Sequence, residues 1–331
     1  MNHKVVTLGE VLMRLTVPQN KRLFQTDNFD VTFGGSEANV GISLAHFGLQ
    51  SAHITALPAH DLGERAARYL KLNGITDEGI VRRDGRLGIY FLETGAMQRP
   101  SKIVYDRFES SFAHMDESEL DWDAIFKDAT WFHYSGITPA ISQKAANITL
   151  KALQIAKSKG IKTSGDINYR RNLWQFGKSP LDIMPGLVAL TDVVVGGRVD
   201  LENCLGIHHE DWSENCRMVQ KKYPNITTFS KTIRESLSAS HNMLTAVLFK
   251  DDTLYTSQTY EMNNIIDRIG GGDAFMGGLI YGLLHKDAQG AIEYAVAASV
   301  LKHSTIGDAN LSTVEEVESL VSGQNIGRLL R

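Results

Sequence analysis

Cysteine is nearly absent: the 331-residue chain carries only Cys204 and Cys216. Two thiols form no zinc-like cluster and no disulfide framework, so we read them as free thiols of a reducing compartment. An excess of one charge is also missing, because 34 Lys and Arg against 38 Asp and Glu leave a formal net charge of −4. No Lys/Arg tract stands out, which argues against a nucleic-acid or membrane-surface partner. Nor does any apolar run approach the ~20 residues of a membrane helix. Met1–Glu10 passes straight into the strand-like Val5-Val6-Thr7-Leu8 without a signal-peptide core, and the expected location is cytoplasmic. Repeats and low-complexity linkers are absent as well. His208-His209-Glu210 looks metallic but lies in a polar stretch without complementary ligands, and reads as a solvated loop.

What remains is an ordinary globular composition, 43% hydrophobic and 22% charged with 29 Gly and 7 Pro. The length suits one large α/β domain with an appendage, or two modest domains. β-rich runs at Val5–Leu8, Ala52–Leu57, Thr130–Tyr134, Ile161–Ile167, Asp192–Val195 and Ile226–Ser230 alternate with helical patterns at Glu37–Phe47, Gly63–Leu72 and Ser142–Lys159. The alternation predicts a mainly parallel sheet with helices on both faces. Ligands of such sheets bind beyond the carboxyl ends of the strands. Two segments, 12–33 and 87–112, break the rhythm with extended pieces and predict a small β lid. Leu244–Phe249 and Leu254–Thr259 around Asp251-Asp252 predict a hairpin, and Ala291–His303 a mostly buried helix.

Two glycine-bearing segments carry candidate chemistry. In Ile269-Gly270-Gly271-Gly272-Asp273-Ala274-Phe275, three residues without Cβ stand at the mouth of an apolar helix. Its first N–H groups lack internal partners and, with the macrodipole, favour an anion. Asp273 beside them is a candidate general base. A tight turn with Asp273 as N-cap is the competing reading. In Phe33-Gly34-Gly35-Ser36-Glu37-Ala38-Asn39, the glycines expose backbone N–H groups and Asn39 offers a two-sided amide to a polyhydroxy ligand. Here the alternative is a strand-to-helix turn capped by Ser36.

As a pair, Gly-Gly-Ser-Glu-Ala-Asn near the start and Asp-Arg-Ile-Gly-Gly-Gly-Asp-Ala-Phe near the end resemble the two signatures of the ribokinase-like (PfkB) carbohydrate kinases. Tyr105-Asp106-Arg107, Phe132–Pro139 and Asp166-Ile167-Asn168-Tyr169-Arg170 extend the likeness, which spans residues 4 to 312 and is nearest the branch acting on 2-keto-3-deoxygluconate. It implies a ribokinase-like α/β fold over 1–312, followed by a C-terminal helix or tail over 313–331. The implied reaction is ATP-dependent, Mg²⁺-assisted phosphorylation of the primary hydroxyl of a small sugar acid, with Asp273 as base and Gly270, Gly271 and Gly272 around the transferring phosphoryl group.

By the same resemblance Gly34, Gly35, Asn39, Tyr90 and Tyr105 contact the acceptor. Arg107 and Arg170 are planar forks suited to its carboxylate. Asp308 is a substrate contact or an ordinary loop carboxylate. On the nucleotide side stand Asn168, Thr232, Arg234 and Ser236, the last three in a segment that also reads as an exposed turn. One departure concerns the metal: where many relatives have Asn-x-x-Glu, this chain reads Gly197-Arg198-Val199-Asp200, leaving Asp200 to act on Mg²⁺ through water. Asp267-Arg268-Ile269 replaces the common Asp-Thr-x. The resemblance also implies at least a dimer with lids in contact. Competing functions are kinases for fructose, ribose or the galactonate epimer, and a non-catalytic sugar or nucleotide sensor. A dinucleotide oxidoreductase is disfavoured, because no Gly-x-Gly-x-x-Gly follows the first strand.

Overall fold

The computed structural model describes residues 3–324. Its strands begin with β1 (Lys4–Leu8), β2 (Leu12–Thr16), β3 (Asp30–Gly34), β4 (Gln50–Pro58), β5 (Ile75–Thr76), β6 (Ile80–Arg83), β7 (Gly88–Glu93) and β8 (Lys102–Asp106). They continue with β9 (Ala129–Ser135), β10 (Lys162–Asp166), β11 (Val193–Val195), β12 (Thr228–Ser236), β13 (Asn242–Lys250), β14 (Thr253–Thr256) and β15 (Tyr260–Met262). The helices are α1 (Ser36–His46), α2 (Asp61–Leu72), α3 (Trp122–Ile125), α4 (Gln143–Ser158), α5 (Pro180–Val188), α6 (Arg198–Leu205), α7 (Trp212–Lys222), α8 (Gly271–His285), α9 (Ala288–Lys302) and α10 (Val314–Val321).

The strands form an 11-stranded sheet and a separate 4-stranded one. In the large sheet β12, β11, β10, β9, β1 and β4 lie side by side and parallel. Every residue of β1 is buried, as expected for a strand covered on both faces. Its alternate side chains feed two cores: Val6 and Leu8 pack with α4 and α5, and Val5 with α1, α8 and α9. The chain runs from β1 to β4 on one side and then adds β9 to β12 on the other, so the strand order reverses beside β1. That reversal opens a crevice at the strand ends, where Gly9, Ser135 and Ile167 leave the sheet.

The small sheet, in order β3-β2-β7-β8, covers this crevice and is the β lid expected from segments 12–33 and 87–112. The hairpin of β13 and β14 turns at Asp251 and Asp252 with φ of 49° and 57°, the left-handed pair that a tight two-residue turn requires. One expected boundary is corrected. β12 does not end at Ser230 but runs to Ser236, pairing with β13 down to Ser236↔Asn242. Its side chains from Thr232 to Ser236 are exposed, so the apolar signal stops where burial stops while the hydrogen-bond ladder goes on. The expected 313–331 segment begins with α10, whose Val317 is fully buried in the core under α8 and α9; residues 325–331 lie outside the described residues.

Candidate active site

The glycine run makes a corner that only glycine allows. Gly270 has a φ of 81°, and a Cβ there would lie 1.7 Å from the carbonyl oxygen of Asp308. α8 starts at the next residue, and its first internal bond runs from the Ala274 N–H to the Gly270 carbonyl at 2.8 Å. The N–H groups of Gly271, Gly272 and Asp273 therefore have no partner within the helix. All three residues line a cavity of about 580 Å³. A Cβ on Gly272 would meet nothing within 4 Å, so the chain is open to a ligand there.

Asp273 is not the helix cap, which is Gly270. Its carboxylate turns toward α1: Ser36 Oγ donates to Oδ1 at 2.8 Å and Asn39 Nδ2 to Oδ2 at 2.7 Å. Burial pushes the group up to about 6, against the two hydrogen bonds that favour its charged form. The Asn39 amide is thus committed to Asp273, and Ser36, which sequence reasoning left as a cap, holds the other oxygen. The two glycine segments meet here in one construction.

At the acceptor end Gly34 and Gly35 line the cavity under the lid. A Cβ on Gly34 would come within 2.1 Å of the Asp308 carboxylate, and one on Gly35 within 2.1 Å of the Glu10 carbonyl. Tyr105, Arg107 and Arg170 line the same cavity and also an adjoining one of about 700 Å³, with Ile103 and Ile137 on the shared wall. Arg170 is exposed on this wall. Arg107 differs from the expected free fork. It is buried and already paired with the buried Glu10, whose Oε2 accepts from Nε at 2.7 Å and also from Nη2. Asp308, expected as a substrate contact, lines the cavity with both oxygens engaged: Arg14 Nη1 donates to Oδ1 at 2.7 Å and Tyr90 OH to Oδ2 at 2.6 Å.

At the other end Arg234 and Arg268 line the cavity beside Gly270–Gly272. Arg234 keeps solvent exposure at the cavity edge, but the protein around it and the Arg268 charge depress its guanidinium, so the pair forms a cationic wall next to the free helix N–H groups. Arg268 is oriented by Asn242 Oδ1, to which its Nη2 donates at 2.7 Å. Thr232 and Ser236 alternate with Arg234 along β12 and share its face, but neither lines the cavity. Asn168 does line it, held in the left-handed region with φ of 42°.

Asp200, the expected metal contact, is engaged by two backbone N–H groups. Its Oδ1 accepts from the Tyr169 N–H at 2.9 Å and its Oδ2 from the Gly197 N–H at 2.8 Å, so it closes the start of α6 against the β10 loop. Among the described residues no group of three or more His, Cys, Asp or Glu side chains could hold a metal alone. The carboxyl that faces the cavity from this side is Asp166, pushed up to about 8 by burial and by the Asp200 and Asp273 charges. A cation arriving with phosphates needs few protein ligands; Asp166 lines the cavity, with the Asp200 charge close beside it.

Sequence reasoning missed further residues. Glu37 is buried on α1, accepts from the Ser135 N–H at 3.0 Å and Thr138 Oγ1 at 2.6 Å, and is pushed up to about 7 by burial. Glu10, Arg14 and Asp267 were missed as well. Their only sequence signal is ionisable residues set in apolar surroundings, as in Gly9-Glu10-Val11-Leu12-Met13-Arg14-Leu15.

Comparison with known proteins places the chain in a family. A family model described as pfkB family carbohydrate kinase matches residues 2–314. A crystal structure of 2-dehydro-3-deoxygluconokinase from Thermotoga maritima superposes with a TM-score of 0.92 at 42% identity, covering 97% of this chain and 100% of that one. A 2-dehydro-3-deoxygalactonokinase from Haloferax volcanii is 29% identical, over 99% of both chains. A 5-dehydro-2-deoxygluconokinase from Bacillus subtilis is 26% identical over 97% of this chain and 96% of its own.

Proposed function

The chain belongs to the pfkB family of carbohydrate kinases, and from that premise we propose that it transfers the γ-phosphoryl group of ATP to the primary hydroxyl of 2-keto-3-deoxygluconate. The observation that carries the proposal is the placement of Asp273. It is a carboxylate held on both oxygens, beside three free helix N–H groups, in one cavity with arginines at both ends.

The acceptor lies under the lid against Gly34 and Gly35, with its carboxylate at Arg170 and the free edge of Arg107. The phosphates of ATP lie toward Arg234, Arg268 and the start of α8. Asp273 takes the proton as the hydroxyl oxygen forms its bond to the γ-phosphorus; the bond from that phosphorus to the β,γ-bridging oxygen breaks, and ADP leaves with the electron pair. The N–H groups of Gly271 and Gly272 stabilise charge on the transferring group. Mg²⁺, when bound, would neutralise the nucleotide phosphates, and Asp166, with Asp200 through water, would help hold it.

The galactonate epimer is the second reading, favoured by the full-length similarity to the Haloferax enzyme. The lid leaves Phe24, Val104 and Phe108 exposed, which supports assembly of at least two chains through their lids; light scattering should give a mass at or above the dimer. The function itself is tested by ADP release with MgATP across keto-deoxy sugar acids, aldonates and neutral sugars. Highest kcat/KM on 2-keto-3-deoxygluconate is expected. Preference for a neutral sugar would overturn the acceptor assignment, and no turnover on any acceptor would overturn the kinase.

A further inference from the structure

Arg14 is among the most deeply buried charged residues of the described chain, 2% exposed, yet its side chain donates to neither glycine segment but to Thr16, Asp267 and Asp308. It lies on β2 of the lid, directly opposite Tyr90 of the neighbouring parallel strand β7. Opposite residues of paired strands share a face, so Arg14 and Tyr90 leave the lid side by side and both reach Asp308, at 2.7 Å and 2.6 Å. The second prong of the fork goes elsewhere: Nη2 donates to Asp267 Oδ2 at 2.5 Å, while Nε is fixed by Thr16 Oγ1 at 2.7 Å.

The two carboxylates belong to the two loops that frame the start of α8. Asp267 accepts from the Ile269 N–H at 3.0 Å and the Gly307 N–H at 3.1 Å, which ties the loop before α8 to the loop after α9. The Asp308 carbonyl fills the space where Gly270 lacks a Cβ, and its carboxylate does the same at Gly34. One side chain of the lid thus grips both loops at once, 253 and 294 residues away in sequence. Lys302, fully buried, adds a second cation to the cluster, its Nζ donating to the Thr305 carbonyl at 3.3 Å. Both buried carboxylates are thus paired with Arg14, and Lys302 is held by main-chain carbonyls beside them, an arrangement that avoids leaving a carboxylate uncompensated.

We propose that Arg14 is a positioning residue for phosphoryl transfer: its two-pronged ion pair sets the separation between the lid that holds the acceptor and the loops that hold the phosphoryl group. The inference rests on the kinase reading above. In-line transfer requires the attacking oxygen about 3–3.5 Å from phosphorus, and a misplacement of about 1 Å costs on the order of 10²-fold in rate. Asp273 moves with α8 and the acceptor with the lid, and Arg14 spans the two. Lysine keeps the charge but reaches only one carboxylate at a time, since it lacks the planar fork.

The test is Arg14→Lys in the full chain. Calorimetry with ATP and with the best sugar acid counts binding-competent sites, and steady-state rates are expressed per such site. The expected result is a kcat per site lowered about 10²-fold, with the ATP affinity within threefold of wild type. A merely structural role would lower the number of sites and leave kcat per site unchanged, and that result overturns the proposal. If Arg14→Lys does not fold, Thr16→Val decides: it removes the bond that orients Nε and leaves both ion pairs. A several-fold loss of kcat per site is expected, and none would overturn the proposal. A wild type that phosphorylates no acceptor sinks the kinase reading and this inference together, whereas an active wild type matched per site by Arg14→Lys sinks this inference alone.

Discussion

Asn39 and Asp273, 234 residues apart, share a hydrogen bond of 2.7 Å that joins the start of α1 to the start of α8. Ser36 makes the matching bond to the other carboxylate oxygen. Both donors favour the ionised base, and burial, the larger influence, opposes them. With Asp273 titrating at about 6, kcat/KM is expected to fall as pH drops through that value. Ser36→Ala removes one stabilising donor, so the acid limb moves to higher pH. A pH–rate profile checks this, and an unmoved limb would separate Ser36 from the base.

The two arginines of the acceptor end should respond differently to truncation. Arg170 is exposed, so Arg170→Ala should leave stability within about 0.5 kcal/mol while raising the acceptor KM by roughly 10-fold or more, the scale of a lost charged hydrogen bond. Arg107→Ala instead leaves Glu10, 4% exposed, without its partner. That should cost on the order of 3–5 kcal/mol in folding, visible in denaturant melts. Comparable melts for the two variants would contradict the assignment of the Glu10 pair.

The glycines of the run are likewise unequal. Gly270→Ala must hold a left-handed residue and place Cβ 1.7 Å from the Asp308 carbonyl; the backbone strain alone is about 1–3 kcal/mol. Gly272→Ala meets nothing within 4 Å, so it should melt like wild type, with its effect confined to the ATP KM and kcat. Thermal melts and kinetics on the pair separate fold from function. Equal loss of stability would show that the corner is not built as described.

Much of this was legible beforehand because it is local. The apolar runs of β1, β4 and β9, the lid segments and the Gly-rich mouth of α8 each advertise themselves within a few residues. What was not legible is long-range pairing of charge. Nothing near Arg107 marks Glu10 as its partner, and nothing near Asp308 marks Arg14. Free-looking candidates such as Arg107, Asn39 and Asp308 therefore proved to be partly occupied by other protein groups. Asp200 has a role the sequence did not show for a related reason: a carboxylate three residues after Gly197 is also placed to cap the start of α6, and its Oδ2 accepts from the Gly197 N–H.

Asp166 allows a test of the metal end that pairs melting with kinetics. Its ordinary value of 3.8 rises to about 8 in the folded protein, first through burial and then through the Asp200 and Asp273 charges. Between those values the folded state holds a proton that the unfolded state has released, so stability falls as pH rises from about 4 to 8. Asp166→Asn should therefore raise the melting temperature at pH 8 and lose that advantage near pH 4. The same substitution should raise the Mg²⁺ concentration needed for half-maximal rate. An unchanged Mg²⁺ requirement would remove Asp166 from the metal site.

The central claim is that Asp273 activates an acceptor hydroxyl beside the start of α8, and Asp273→Asn tests it most directly. Asparagine keeps the size of the side chain but cannot take the proton. Calorimetry should show ATP binding close to wild type, while single-turnover phosphorylation of 2-keto-3-deoxygluconate slows by roughly 10²-fold or more. Equal single-turnover rates in the two proteins would contradict the account.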